Sequence, residues 1–141
     1  MEKNLRVLTG EVLSEREAGN YSPLVLAFLG DAVYELYIRT MLTRNGNASP
    51  KDLNRRKAGL VKAAAQSALI AEIEPLLTER EEEIYRRGRN AHPAAMAKNA
   101  TVADYRRATG FEALAGYLYL TGQTERLVEL IRKGIGTDES N

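Results

Sequence analysis

The pattern of apolar and polar positions along the chain predicts helices from one end to the other. Prolines stand only at positions 23, 50, 75 and 93, and the segments between them are rich in strong helix formers. Alternating runs of β-branched residues, which would indicate strands, are missing. We therefore expect an all-α helical bundle in one domain over residues 1–141, with a core at about 20–135 and a frayed C-terminal tail at 137–141.

Capping residues mark where the helices begin. Ser22 and Ser49 each precede a proline, an arrangement that favours a helix N-terminus. Thr78 and Glu81 have the spacing of a capping box. The predicted helices extend over 23 to about 43, 50 to about 72, 79 to about 89, about 101 to 121, and 123 to about 135, with an irregular segment at 90–101.

The first long helix carries an acid inside its most apolar stretch. Residues 24–33 are apolar on nearly every face, so this helix is expected to be central and buried. Asp31 interrupts that stretch, and a buried carboxylate needs a cation, a metal ion or strong hydrogen-bond donors. Its neighbours one turn away are Ala27 and Glu35, which together indicate an acidic notch.

A later helix repeats the pattern. Residues 111–120 are apolar except for Glu112, and Gly116 one turn later would let another backbone come close. Two buried helices that each carry one acid would suit Mg²⁺, which takes one or two carboxylates and keeps several waters. The alternative is structural, with Asp31 paired to Arg39 or Arg106 and Glu35 as an ordinary exposed acid.

Composition narrows the chemistry further. The chain has no cysteine and one histidine, His92, so a metal ion would be held by carboxylates, which favours Mg²⁺ or Mn²⁺. His92 precedes Pro93 in a basic segment and is interpreted as a surface donor rather than a general base. No apolar run is long enough for a membrane span, and a secretory signal is missing from the N-terminus. A cytoplasmic protein without a membrane partner is expected.

The net charge of +1 conceals two basic clusters. Residues 86–107 contain six Lys and Arg side chains against Asp104, partly in the irregular segment, and this favours contact with a sugar-phosphate backbone. The cluster at 51–62 fits either a second phosphate-binding surface or a solvated helix face. No exposed aromatic platform for single-stranded bases is apparent, so duplex contact is favoured. The second cluster consists of Lys51, Arg55, Arg56, Lys57 and Lys62.

Several spaced motifs are similar to a known family. The run of residues 28–33, Phe-Leu-Gly-Asp-Ala-Val, resembles the signature of the ribonuclease III family, and residues 111–120 resemble its second motif. Residues 86–91, 98–99 and 105–114 extend the likeness to the Mini-III branch, which lacks a double-stranded RNA-binding domain. The resemblance covers roughly residues 20–135.

The resemblance implies an all-α, homodimeric endonuclease that cuts double-stranded RNA and leaves 5′-phosphates. Its catalytic, metal-binding acids fall on Asp31 and Glu112, with Mg²⁺ as cofactor and Mn²⁺ as a substitute. It also implies precursor 23S ribosomal RNA as the substrate, with a ribosomal protein as a helper. Acids of ordinary ribonuclease III are replaced here by Leu24, Ala27, Pro50 and Thr109. The implied RNA-binding residues are Arg86, Arg87, Arg89, Asn90, Lys98, Asn99, Arg106 and Arg107.

Two other functions stay open at the level of sequence. The replaced acids allow a non-catalytic module that binds duplex RNA on a nuclease-like scaffold. A helical interaction protein without a role in nucleic-acid chemistry is the other alternative, and it would leave Asp31 paired to an arginine.

Overall fold

A computed structural model describes residues 10–91 and 101–136, and within these ranges the regular structure is entirely helical, as predicted. A helix that could span a bilayer is not found in this part of the chain. The helices are α1 (Glu15–Gly19), α2 (Pro23–Asn45), α3 (Pro50–Val61), α4 (Ala63–Ile73), a 3₁₀ turn (Glu74–Leu76), α5 (Glu79–Arg89), α6 (Val102–Leu120) and α7 (Thr124–Ile135).

The predicted caps form at Ser49 and Thr78, whereas Ser22 precedes α2 without a capping hydrogen bond from its side chain. The Ser49 hydroxyl accepts a hydrogen bond from the Asp52 amide at 3.2 Å. Thr78 and Glu81 form the predicted capping box, in which each side chain accepts from the other residue's backbone N–H. Pro23 begins α2, which continues two residues beyond the predicted end at Thr43. Short α1, with a capping box of Ser14 and Glu17, was not predicted. The predicted tail at 137–141 lies outside the described residues.

The predicted helix over 50–72 is wrong in one respect, because it is two helices. Lys62 adopts an extended conformation (φ −66°, ψ 157°) that ends α3, and α4 begins at the next residue. No proline or capping signal marks this break in the sequence. It frees carbonyl groups at the end of α3, and side chains from the core reach them. Leu60 O accepts from the Tyr34 hydroxyl at 3.0 Å, and Val61 O accepts from Gln66 Nε2 at 2.7 Å.

The central helix is α6, not α2. Residues 108–118 of α6 are buried apart from half-buried Glu112, and α6 packs against α2, α5 and α4. The expectation that α2 is buried on nearly every face is wrong: Asp31 is exposed, and Phe28 retains 81% of its accessible surface. A helix that is apolar all round does not indicate which face meets the core. In this chain the face containing Leu26, Gly30 and Tyr34 does so.

Two glycines let α2 and α6 come into backbone contact. A Cβ atom at Gly30 would overlap the Glu112 carbonyl oxygen and lie 2.7 Å from the Gly116 nitrogen. A Cβ atom at Gly116 would overlap the Leu26 carbonyl oxygen. The close approach predicted at Gly116 is therefore confirmed, and its partner is Gly30. This contact places the residue after Gly30, which is Asp31, opposite Glu112.

Candidate active site

Asp31 and Glu112 converge at the contact between α2 and α6. The two residues come from helices that are far apart in the chain, and the Asp31 carboxylate is close enough to raise the pKa of Glu112. The crossing of Gly30 over the Glu112 backbone brings them together. Both acids were expected to be buried; Glu112 is half-buried, and Asp31 is exposed in the single chain. The pair thus forms an acidic notch with one side open to solvent, and this notch differs from the predicted one, which Asp31 shares with Ala27 and Glu35.

The electrostatics of the notch are unfavourable for two carboxylates. Burial and the nearby Asp31 carboxylate raise the pKa of Glu112 to about 8, while the hydrogen bond from Gln66 opposes the rise. Burial disfavours the charged form, and a like charge adds to that effect. A cation between the two groups would relieve both contributions. A positive charge would therefore stabilise the ionised forms of both carboxyl groups.

Within the described ranges, no arginine forms an ion pair with Asp31 or Glu112. Arg39, one candidate partner of Asp31, instead donates to Glu35 with an Nε–Oε2 distance of 2.7 Å. Neither Asp31 nor Glu112 forms an ion pair with any residue of 10–91 or 101–136. The structural alternative for Asp31 is therefore not supported. The expectation for Glu35 also needs correction, because this half-buried acid lies 3.7 Å from Lys57 Nζ as well.

Gln66 completes the notch, and the sequence interpretation missed it. Its side chain is buried, and Nε2 donates to Glu112 Oε2 at 3.2 Å. The available signal was an amide within the mostly apolar start of α4, Ala-Ala-Ala-Gln-Ser-Ala-Leu, in which Ser67 is the other polar residue. Such a residue is a candidate for a buried polar contact, but the sequence alone does not identify its partner.

Basic side chains lie on α5 and α6, two helices that pack against each other. The C-terminal turn of α5 lies level with Glu112, because a Cβ atom at Gly88 would be 2.8 Å from the Ala113 Cβ. Arg107 Nη1 approaches the hydroxyl of Ser67, the residue after Gln66, at 3.5 Å. Of the predicted RNA-binding residues, those exposed around this region are Arg86, Asn90, Arg106 and Arg107, and Arg89 is half-buried.

The remaining predicted RNA-binding residues and the second basic cluster lie elsewhere. Half-buried Arg87 donates to Gly19 O at 2.8 Å and Tyr21 O at 3.0 Å, so its guanidinium ties α5 to the connection between α1 and α2. Lys98, Asn99 and His92 lie outside the described residues. The second basic cluster is on α3, where Arg55 and Arg56 are exposed.

Comparisons with known proteins show which family the chain belongs to. The ribonuclease III domain family matches residues 24–123, a range that includes both acids. The Mini-ribonuclease 3 of Clostridium tetani is 43% identical over 133 residues, covering 94% of this chain and 88% of that protein. The Mini-ribonuclease 3 of Streptococcus pneumoniae is 50% identical over 110 residues, covering 77% and 86%. The chain belongs to the Mini-ribonuclease 3 branch of the ribonuclease III family.

A crystal structure of a Fusobacterium nucleatum protein supports the same fold. It matches with a TM-score of 0.74 and 35% identity, covering 80% of this chain and 87% of that one. As a Mini-ribonuclease 3 family member the chain is an endoribonuclease, and double-stranded RNA is its substrate class. Membership decides against the non-catalytic module and the interaction protein.

The ribonuclease III family depends on a divalent metal ion, and the donors in the notch fit one. Two carboxylates supply hard oxygen ligands, and Mg²⁺ commonly uses one or two carboxylates and retains waters. Burial, and after it the repulsion from Asp31, raise the pKa of Glu112, and a bound cation would oppose both effects. Within the described ranges no group of three or more His, Cys, Asp or Glu side chains is placed to bind a metal ion.

Proposed function

We propose that Asp31 and Glu112 are the catalytic residues of this endoribonuclease and that they hold Mg²⁺, for which Mn²⁺ can substitute. The observation that carries the proposal is the backbone contact of Gly30 with Glu112, which sets Asp31 beside Glu112. Neither acid forms an ion pair with a cation among the described residues. A bound divalent ion supplies a more acidic water and charge stabilisation at the phosphate. The protein's own contribution is to fix both carboxylates by the packing of Gly30 against α6.

The first test is cleavage of a perfect RNA duplex by the purified chain. We expect cuts with 5′-phosphate ends in the presence of Mg²⁺ or Mn²⁺, and none after chelation. A DNA duplex of the same sequence is the control, and we expect it to stay intact. Salt-sensitive binding of RNA without cleavage in any divalent ion would overturn the proposed activity.

RNA binding is proposed for the basic residues beside the notch. Arg86, Arg89, Asn90, Arg106 and Arg107 present donors at the end of α5 and the start of α6. Duplex RNA offers phosphates and 2′-hydroxyls across a shallow minor groove, and such donors can follow it. Lys98 and Asn99 are proposed as further contacts. Arg87 is also in the predicted set, although its donors are directed to backbone carbonyls within the fold.

Replacement of Arg86 and Arg106 together by Gln is expected to weaken duplex RNA binding about 10-fold at physiological salt. The slope of the logarithm of the binding constant against the logarithm of the salt concentration is expected to become shallower by about 2, because two phosphate contacts disappear. The matched control is replacement of Arg55 and Arg56 on α3 by Gln, expected to change affinity less than about 2-fold. Equal losses in both double variants, measured by fluorescence anisotropy, would contradict this interface.

A homodimer is proposed because α2 exposes an apolar face. Val25, Phe28, Ala32 and Leu36 recur at helical spacing, and all four side chains are exposed. Phe28 and Leu36 line a shallow groove that also includes Asp31 and Glu35. A contiguous exposed apolar patch on a helix indicates a protein interface. Association of two copies through this face would bring both notches close to the dimer contact.

Phe28→Asp is expected to convert the dimer to a monomer, since it places a charge at the centre of the apolar face. Light scattering after size exclusion measures the mass directly. Leu76→Asp is the matched control, because Leu76 is an exposed leucine on the 3₁₀ turn and not on α2. If the wild-type protein at about 100 µM had the monomer mass of 15.6 kDa, that result would contradict the dimer.

Precursor 23S ribosomal RNA is the proposed substrate, and maturation of its ends is the proposed role. The support is the Mini-ribonuclease 3 branch itself, for which the sequence resemblance implies this substrate. Bacterial ribosomal RNA is transcribed in the cytoplasm, which is therefore the proposed location. A ribosomal protein is proposed as a helper that presents the RNA.

A further inference from the structure

Gln66 stands out because it is a buried amide with an incomplete set of hydrogen bonds. The residue is 2% exposed. Nε2 makes two hydrogen bonds, to Val61 O at 2.7 Å and to Glu112 Oε2 at 3.2 Å. Oε1 is buried and has no hydrogen-bond partner among the described residues. An apolar side chain of similar length would avoid that cost, so the packing of α4 alone does not account for a glutamine here.

The orientation of the amide follows from its surroundings. Val61 O is a carbonyl acceptor, and the Glu112 carboxylate is a second acceptor. Rotation of the amide by half a turn would place Oε1 against both oxygens and lose both hydrogen bonds. Nε2 is thus held between a fixed backbone carbonyl and one oxygen of the proposed metal-binding acid.

The backbone carbonyl is fixed because α3 ends beside it. The extended conformation of Lys62 separates α3 from α4. The backbone N–H of Gln66 donates a hydrogen bond to Lys62 O at 3.1 Å. The side chain of Gln66 therefore starts one turn into α4 and reaches back to the last residue of α3. The N–H of Nε2 that does not bond Val61 O then points toward a group level with this break, and Glu112 is the group found there.

We propose that Gln66 is a positioning residue for the metal site: through Nε2 it fixes the orientation of the Glu112 carboxylate and so prepares it to bind the divalent ion. This inference rests on the proposed function of Glu112 and extends it to a buried residue that would act through that acid. Groups that hydrogen-bond a metal ligand from outside the coordination shell fix its rotamer, and their loss commonly weakens metal affinity 10- to 100-fold.

Tyr34 offers a matched control on the same helix end. Its hydroxyl donates to Leu60 O at 3.0 Å, one residue before the carbonyl that Gln66 uses. Its ring packs edge-on against Phe111, with centroids 5.1 Å apart. Tyr34→Phe removes a hydrogen bond to the end of α3 but keeps the ring, and it leaves the bond between Gln66 and Glu112 in place. The two variants separate support of the helix end from orientation of the acid.

The experiment compares Gln66→Met with Tyr34→Phe in the full chain. We expect both variants to fold, because each keeps approximately the size of the side chain that it replaces. We expect only Gln66→Met to raise the Kd for Mn²⁺ about 10-fold or more, measured from the free-ion electron paramagnetic resonance signal. Its kcat on duplex RNA should fall by a similar factor, with KM changing less than about 3-fold.

Wild-type Mn²⁺ affinity and kcat in folded Gln66→Met would overturn the inference. If that variant does not fold, a crystal structure of the wild-type chain with Mn²⁺ decides instead. Gln66 Nε2 within hydrogen-bonding distance of Glu112 would support the inference, and an amide turned away from the carboxylate would overturn it. A failure of the proposed function would be recognised by a different result. In that case Asp31→Asn would cleave duplex RNA at the wild-type rate.

Discussion

Asp31→Asn and Glu112→Gln are each expected to reduce cleavage of duplex RNA by on the order of 10³-fold or more. Each substitution keeps the shape of the side chain and removes one of the two negative charges that would hold the divalent ion. The two changes are expected to be far from additive, because either one disables the same site. Single-turnover rates at saturating Mg²⁺, with gel-resolved products, measure the effect. Wild-type rates in either variant would refute the assignment of these acids.

Stability provides the control for those variants. The pKa of Glu112 in the folded chain is raised to about 8 from an ordinary value of 4.5, so the folded state holds this proton more strongly than the unfolded state. Folding stability from this group is therefore lost as pH rises from about 4.5 to about 8. Without metal, Glu112→Gln should melt at a higher temperature than the wild type at pH 8, and the difference should shrink toward pH 5. A lower melting temperature at pH 8 would indicate a damaged fold.

The two acids of the proposed site could be singled out from the sequence because two independent signals pointed to them. A charged residue inside an apolar helical stretch is unusual, and Gly116 indicated that another helix approaches the same turn of α6. The structure adds Gly30 as the other half of that approach. Neither signal gives the separation of the carboxyl groups or the burial of each, because those depend on how the two helices are rotated.

The rotation of α2 was the main error, and it has a physical explanation. When both faces of a helix are apolar, hydrophobic periodicity cannot distinguish a face that packs in the core from one that could pack against another chain. Phe28 was therefore expected to be in the core, although it is exposed in the single chain. The same ambiguity explains why Asp31 was expected to be buried.

The helix break and Gln66 escaped prediction for a related reason. Lys62 is a good helix former, and nothing adjacent to it forbids a helix, so local propensity predicts that α3 continues into α4. Tertiary contacts override that preference, and the freed carbonyls are bonded by Tyr34 and Gln66. The role of Gln66 depends on this break, so it could not be inferred from the sequence of α4 alone.

Gly30→Ala is expected to lower the free energy of unfolding by about 3 kcal/mol or more, at the upper end of what overpacking usually costs. The added Cβ would overlap the Glu112 carbonyl oxygen, and backbone atoms cannot rotate out of the way as a flexible side chain can. Relief requires α2 and α6 to separate, which would also move Asp31 away from Glu112. We therefore expect cleavage to fall with stability. Urea unfolding at fixed protein concentration measures the change in midpoint.

Gly59→Ala is the matched control for that substitution, because Gly59 is also inside a helix but exposed. A Cβ atom there would have no heavy atom within 4 Å, so the change should raise stability by about 0.5–1 kcal/mol through helix propensity alone. Opposite signs at the two positions would show that contact, and not the general cost of alanine, decides the outcome at Gly30. An unchanged urea midpoint in Gly30→Ala would mean that α2 and α6 do not meet as closely as described, and the geometry that unites the two acids would fail with it.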